Sequence, residues 1–473
     1  MVFSSATFLF FFLPIVFVLY YVLPKSCRNW ILLLASVLFY SWGEPIFIFV
    51  LLASITVDFF IALKMSQTEL RTRKRWLALS LIINLGLLGF FKYANFFIDN
   101  VQHFYHWMGL EPFAWHTVAL PIGISFVTFQ KISYMVDVFR KDCEPQRRWD
   151  YLTLYILMFP QLIAGPIIRY KEIAVQLTER DKANLVEYRI GGLYRFFIGL
   201  SKKMLIANVL AQQVDVIFAT SPNALSAGTA WIGMLAYTMQ IYFDFSGYSD
   251  MALGLGRMFG FQFPENFNFP YISQSFSEFW KRWHITLGSW MKDYLYIPLG
   301  GNRIGRGRTL VNLWVVFLLS GLWHGAAWTF VAWGLYHGLF IVLDKLGAGR
   351  WLKKLGRVPA TLVTFLLVMI GWVIFRADSL SYCGAYIARL FSFSNMPDCI
   401  LWDARFVVIL VVALLAAFSG VIPAVEKYAC DAMTLPRTHL RWIILTIFVI
   451  VLYLINGSAI LAGGFNPFIY FRF

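Results

Sequence analysis

A chain of 473 residues that is 59% hydrophobic, 19% aromatic and only 14% charged, with a mean hydropathy of +0.66, cannot stay dispersed in water as a globular protein. Apolar runs of about 20 residues recur from end to end without polar–apolar alternation, which argues against a β-barrel and predicts an all-α polytopic membrane fold. Lys and Arg outnumber Asp and Glu by 40 to 25, giving +15; in such a chain the excess marks cytoplasmic loops beside membrane lipids, and no nucleic-acid surface is expected.

Phe8 to Leu23 is the first predicted span, and it reads as retained because no basic lead and no small-residue cleavage site accompany it. Lys25 and Arg28 follow, which predicts an outside N-terminus. Asn29 to Leu63 is divided by Gly43, Glu44 and Pro45 into a helical hairpin. Lys64 to Arg75, with five basic residues and one acid, returns the chain to the inside. Trp76 to Asp99 crosses outward, with Lys92 expected to snorkel toward the interface. His103, His106 and His116 lack the companion ligands a metal site needs and read as solvated loop residues; no metal is expected. The five cysteines, Cys27, Cys143, Cys383, Cys399 and Cys430, show no metal or redox spacing.

Pro121 to Asp137 returns inward to Arg140, Lys141, Arg147 and Arg148. Pro160, Gly165 and Pro166 then interrupt Tyr151 to Tyr170. Broken backbone at membrane depth must be buried in protein or line a wet cavity, which makes Gln161 a candidate lining group; a simple proline kink is the other reading. Gly191 to Ala219 mixes Arg195, Lys202 and Lys203 with apolar residues and reads as a helix partly in the interface. Ala227 to Phe245 enters the membrane and ends at residues 242–250, where Asp244, Tyr248 and Asp250 are either an intramembrane polar group or ordinary boundary residues.

Met258 to Arg308 is the least membrane-like stretch. It sets Glu265, Glu278 and Asp293 against Lys281, Arg282, Lys292, Arg303, Arg306 and Arg308. This is either a landing site for a phosphate-bearing ligand or a plain positive-inside loop. Arg308 and Lys345 both read as inside, so the apolar stretch between them goes in and comes back, with His324 about 20 Å beyond the cytoplasmic boundary at about 1.5 Å per residue. His337 is the weaker candidate. Ala360 to Phe375, Phe406 to Ile422 and Trp442 to Leu461 are further spans, and residues 1–473 read as one membrane domain without internal repeats.

The residues able to do chemistry are His324 in Leu-Trp-His-Gly-Ala-Ala-Trp and His284 in Phe-Trp-Lys-Arg-Trp-His-Ile-Thr, which also holds Trp283. A buried neutral imidazole can act as base toward a hydroxyl, and two can divide base and electrophile roles. Lys281 shares a face with His284 if the segment is helical, and its charge favours the neutral ring. Trp323, Trp328 and Trp333 would wall a passage, or merely pack. A packed core histidine remains the competing reading of His324, and an interfacial one of His284.

At this point the sequence resembles the membrane-bound O-acyltransferases, in the branch that O-acetylates alginate and peptidoglycan. The resemblance covers nearly the whole chain. It rests on Met-Val-Phe-Ser-Ser at the start, Leu-Pro-Ile-Gly-Ile-Ser-Phe at 120–126, Phe-Pro-Gln-Leu-Ile-Ala-Gly-Pro at 159–166, Phe-Asp-Phe-Ser-Gly-Tyr-Ser-Asp at 243–250, the Trp-His segments and Pro-Phe-Ile-Tyr-Phe-Arg-Phe at the end. The resemblance implies a ring of tilted helices around a tunnel, the family's catalytic histidine at His324 and its second at His284. It further implies acetyl-CoA as donor substrate with no bound cofactor, and an extracytoplasmic (periplasmic) acetyltransferase partner. The setting would be the bacterial inner membrane. Transfer of D-alanine to teichoic acid is the neighbouring branch's chemistry. A transporter or flippase for an anionic or glycan-linked solute is the alternative from another class.

Overall fold

The computed structural model describes residues 1–180, 182, 185–392, 402–426, 439–463 and 468–469; Cys399, Cys430 and all of the terminal motif but Phe468 and Ile469 lie outside them. Among the described residues the regular structure is helical, apart from one antiparallel bridge between Phe267 and Trp283. Five helices are long and apolar enough to cross a membrane: Phe47–Ser66, Leu70–Trp107, Arg357–Arg376, Ala404–Val421 and Ile443–Ala462. The protein is an all-α, multi-pass membrane protein. The chain forms two compact units, one of Met1–Asn184 with Phe259–Phe263, the other of Leu185–Met258 with Pro264–Phe473.

The first unit contains α1 (Leu13–Val22), α2 (Arg28–Ser41), α3 (Phe47–Ser66), α4 (Leu70–Leu88), α5 (Ala94–Trp107), α6 (Ile124–Arg140) and α7 (Trp149–Leu157). The Gly-Glu-Pro break falls between α2 and α3 as the sequence indicates, while α4 runs on into α5 through a π-turn at Gly89–Tyr93. Lys92 sits in that turn. It is buried, with its ammonium donating to Ser125 Oγ (3.3 Å), so it does not snorkel: the wider turn directs it against α6. Asp58 on α3 is buried as well and accepts from Lys131 Nζ (3.1 Å), Ser80 Oγ (2.6 Å) and Asn84 Nδ2 (2.9 Å), so the charge is matched and its oxygens are used. The interrupted stretch is a helix to Leu157, then a turn-rich segment whose residues 158–166 are all buried in protein, the condition broken backbone requires at membrane depth.

The second unit opens with α8 (Val186–Ser201), passes a π-turn at Lys202–Ala207 into α9 (Asn208–Ala219), and continues in α10 (Ala227–Met258). Here two expectations are corrected. The helix expected to end near Phe245 runs 32 residues without a break, so Asp244 and Asp250 lie within it, both buried in protein. The segment assigned to the interface instead packs its cations inward: Arg195 Nε reaches Asp250 (2.5 Å), Arg195 Nη2 reaches Glu265 (2.7 Å), Lys202 reaches Asp250 (2.6 Å) and Lys203 reaches Asp244 (2.5 Å). These acidic partners lie 40 or more residues away in sequence, so the local pattern gives no sign of them.

Glycines allow the close approach that this pairing needs. A Cβ at Gly254 would sit 2.6 Å from the Gly192 carbonyl oxygen, and one at Gly199 would sit 2.5 Å from that of Gly247. The two helices therefore touch backbone to backbone at two antiparallel rungs, each rung seven residues from the other on both helices. The remaining elements include α11 (Phe276–Arg282), α12 (Ile285–Met291), α13 (Arg306–His324), α14 (Trp328–Leu346), α15 (Arg357–Arg376), α16 (Leu380–Leu390), α17 (Ala404–Phe418) and α18 (His439–Ala462), with a short helix at Ala348–Lys354 between α14 and α15. α13 and α14 are consecutive helices joined by a turn at residues 325–327.

Candidate active site

The site is built around a break in the backbone. Residues 266–268 run extended beside the junction of α11 and α12: the Asn268 N–H donates to the Arg282 carbonyl (2.9 Å) and the Ile285 N–H donates to the Asn266 carbonyl (3.0 Å). Between these clamps His284 adopts φ 47° and ψ 52°, a left-handed conformation that costs a non-glycine residue on the order of 1 kcal/mol or more. The helix thus ends before His284, and the expected helical face shared with Lys281 does not exist.

Asn266 fixes the imidazole. Its Oδ1 accepts from the Thr286 N–H (3.2 Å) and the Thr286 hydroxyl (2.8 Å), and its Nδ2 donates to Ser249 Oγ (3.1 Å). The same Oδ1 lies 3.1 Å from His284 Nδ1, so that nitrogen carries the proton and Nε2 keeps its lone pair. Nε2 is buried with no hydrogen-bond partner among the described residues. Burial pushes the His284 pKa down to about 3, so the ring stays neutral at physiological pH. A group so weakly basic is better suited to accept a hydrogen bond from an incoming hydroxyl or thiol than to hold its proton.

The same shift makes a stability prediction. Between about pH 6.5 and pH 3 the unfolded chain binds a proton at this histidine and the folded chain does not, so stability falls as pH drops through that window and is unaffected above it. Thermal unfolding in detergent should show a pH slope shallower by about one proton per molecule in His284→Gln. An identical slope would mean that the folded ring is protonated.

His284 and Ser320, both buried, line a cavity of about 470 Å³ with Trp280, Phe317 and the exposed Lys281 and Lys292, a size in the usual range for small-molecule sites. His324 is the last residue of α13 and is 4% exposed. Three aromatic rings stand edge-on around it: Trp323 at 4.9 Å, Trp333 at 5.0 Å and Phe375 at 5.3 Å between centroids. Trp323 also lies 6.1 Å from the His284 ring, so the two candidate histidines meet on either hand of one indole.

Other sequence candidates fall elsewhere. Trp328 is 55% exposed as the first residue after the turn, and does not join the wall formed by Trp323 and Trp333. Trp283 is buried against Phe267 (5.0 Å) and Trp372 (4.7 Å). Arg282 is held by Glu278 (3.2 Å) and Glu426 (2.6 Å), and Arg303 is exposed. Asp244 and Asp250 are occupied by the ion pairs above, and Tyr248 packs on Phe468 (4.6 Å). Their helix reaches His284 through Phe245, whose ring is 4.7 Å away, and through Ser249. Gln161 belongs to the first unit, where its amide donates to the Tyr155 carbonyl (2.5 Å). His337 is fully buried with neither ring nitrogen partnered among the described residues, in a niche opened by Gly371, where a Cβ would come within 2.7 Å of Nε2. His103 and His106 are exposed on α5 and His116 in the following loop; no three potential ligands gather as a metal site among the described residues. Asn266, Phe245 and Phe375 were not anticipated. The one sequence hint was an Asn-rich stretch, Glu-Asn-Phe-Asn, too polar for its surroundings.

The profile of the membrane-bound O-acyltransferase family matches residues 127–375, which include both histidines. A protein of Pseudomonas putida described as a probable alginate O-acetylase is 41% identical over the whole of both chains. The peptidoglycan O-acetyltransferase of Helicobacter pylori is 38% identical, covering 80% of this chain and 78% of that one. The teichoic acid D-alanyltransferase of Bacillus subtilis is 29% identical, covering 55% of this chain and 69% of its own.

Proposed function

We propose, from the premise that the chain belongs to the membrane-bound O-acyltransferase family, that this acyltransferase takes acetyl groups from acetyl-CoA at the cytoplasmic face of the bacterial inner membrane and passes them outward at His324. A separate extracytoplasmic acetyltransferase would then carry them onto a surface polysaccharide of the alginate or peptidoglycan kind. The observation that carries this reading is the pair of buried histidines meeting across Trp323, one of them locked by Asn266 with its lone pair free beside a cavity edged by two lysines.

The chemistry follows from that arrangement. Lys281 and Lys292 attract the donor's phosphates, and the cavity takes the arm that carries the thioester. An acceptor hydroxyl hydrogen-bonds to an imidazole; its oxygen attacks the thioester carbonyl as its proton passes to the ring. The tetrahedral species collapses, the carbon–sulfur bond breaks, and the departing thiolate recovers the proton from the imidazolium, leaving ester and free thiol. His324 is the base and His284 orients a reacting group. The lower identity to the D-alanyl enzyme, and the apolar rings around His324, which offer an ammonium no carboxylate, favour acetyl.

Purified full-length protein in lipid vesicles, given acetyl-CoA labelled in its acetyl group, is expected to release CoA thiol and pass label to an acceptor hydroxyl. Uptake of intact solute without acyl transfer would make it a carrier instead.

A further inference from the structure

The donor cavity and the surroundings of His324 differ in how much room they offer. The cavity, at about 470 Å³, could hold a chain well beyond two carbons. His324 is enclosed by the edges of Trp323, Trp333 and Phe375, all within 5.3 Å. Phe375 cannot retreat easily. Phe330 stands perpendicular behind it at 5.0 Å, Trp333 lies 5.4 Å and Trp372 5.7 Å away, and Phe330 is itself pressed against Gly325, where a Cβ would come within 2.1 Å of its ring. Rings so packed have no soft side chain among them to yield, and interiors at this density register even one added methylene.

We propose that Phe375, with Trp323 and Trp333, limits the acyl group passed at His324 to two carbons, and that Phe375 sets the limit. The proposal rests on the reading of His324 as the transfer site. Trp323 also contacts His284, and Trp333 also contacts His337 (4.6 Å), so trimming either disturbs a second histidine; Phe375 is the wall to trim, its neighbours beyond His324 including the rings of Phe330, Trp333 and Trp372.

The test uses isolated membranes containing the full-length chain, supplied with equal concentrations of acetyl-CoA and propionyl-CoA carrying different radiolabels. Label on extracytoplasmic polymer is counted, with His324→Ala membranes as the blank. Wild type is expected to prefer acetyl by at least about tenfold, the discrimination one methylene commonly gives. Phe375→Leu should lower that preference by about tenfold. Phe330→Leu, which removes the support behind it, should lower it less and decides the matter if Phe375→Leu does not accumulate. An unmoved ratio in a variant that still transfers acetyl, or a wild type that takes both thioesters equally, overturns the proposal. A wild type that transfers neither overturns the transfer reading, and this proposal with it.

Discussion

Replacing His324 with alanine is expected to lower polysaccharide acetylation by about a hundredfold or more while leaving the chain in the membrane at normal abundance. The size follows from what a positioned acid–base group contributes, about 10²–10⁴-fold. Normal abundance is expected because His324 ends its helix at a turn, so its loss removes ring contacts but interrupts no helix. Acetyl content of surface polymer by mass spectrometry, beside an immunoblot of the membrane fraction, separates the two effects. Full acetylation by the variant would sink the assignment. His284→Ala should lose much of the activity but not necessarily all, since that ring orients a group that water could partly orient in its place.

The second large effect concerns stability. Asp250→Ala removes one of the two carboxylates that Arg195 reaches and the carboxylate 2.6 Å from Lys202 Nζ, in a mostly buried site. Breaking a buried pair by deleting one member costs about 3–5 kcal/mol, because the remaining charge is left without compensation. Here the partial exposure of Lys202 places the expectation near the lower figure. Heating in detergent followed by size-exclusion should show an earlier loss of folded protein, and Asp250→Ala combined with Lys202→Ala should recover part of it. Unchanged thermal stability would mean that solvent or lipid, and not Asp250, neutralises these cations.

Much of this was legible beforehand. The helix break at Gly43–Pro45 and the buried break at 158–166 follow from apolar length and from glycine and proline, which act locally. Long-range pairing was not legible. Arg195, Lys202 and Lys203 look like interface residues until α10 is laid beside them, and Lys92 looks like a snorkelling residue until the π-turn directs it inward. Asn266 sits 18 residues from the histidine it orients, and nothing local distinguishes it from a loop asparagine. The left-handed backbone at His284 was equally hidden, since histidine, though enriched there among non-glycine residues, adopts it only uncommonly and nothing local singles out this one. Phe375 could be assigned only to a span; that it closes one side of His324 depends on how α15 packs against α14 and meets the end of α13.

The paired glycines of α8 and α10 have a consequence for how the helices find each other. Two contact points seven residues apart act as a keyed rail: a slip by one residue sets Ile198 or Leu200 against the Gly247 backbone, so neighbouring alignments are excluded sterically. Arg195 lies between the two keys and Lys202 just past the second, so the alignment that seats the glycines is also the one that delivers these cations to Asp250. Charge matching in this part of the protein is therefore inherited from backbone shape, and does not have to be found by search within a lipid environment.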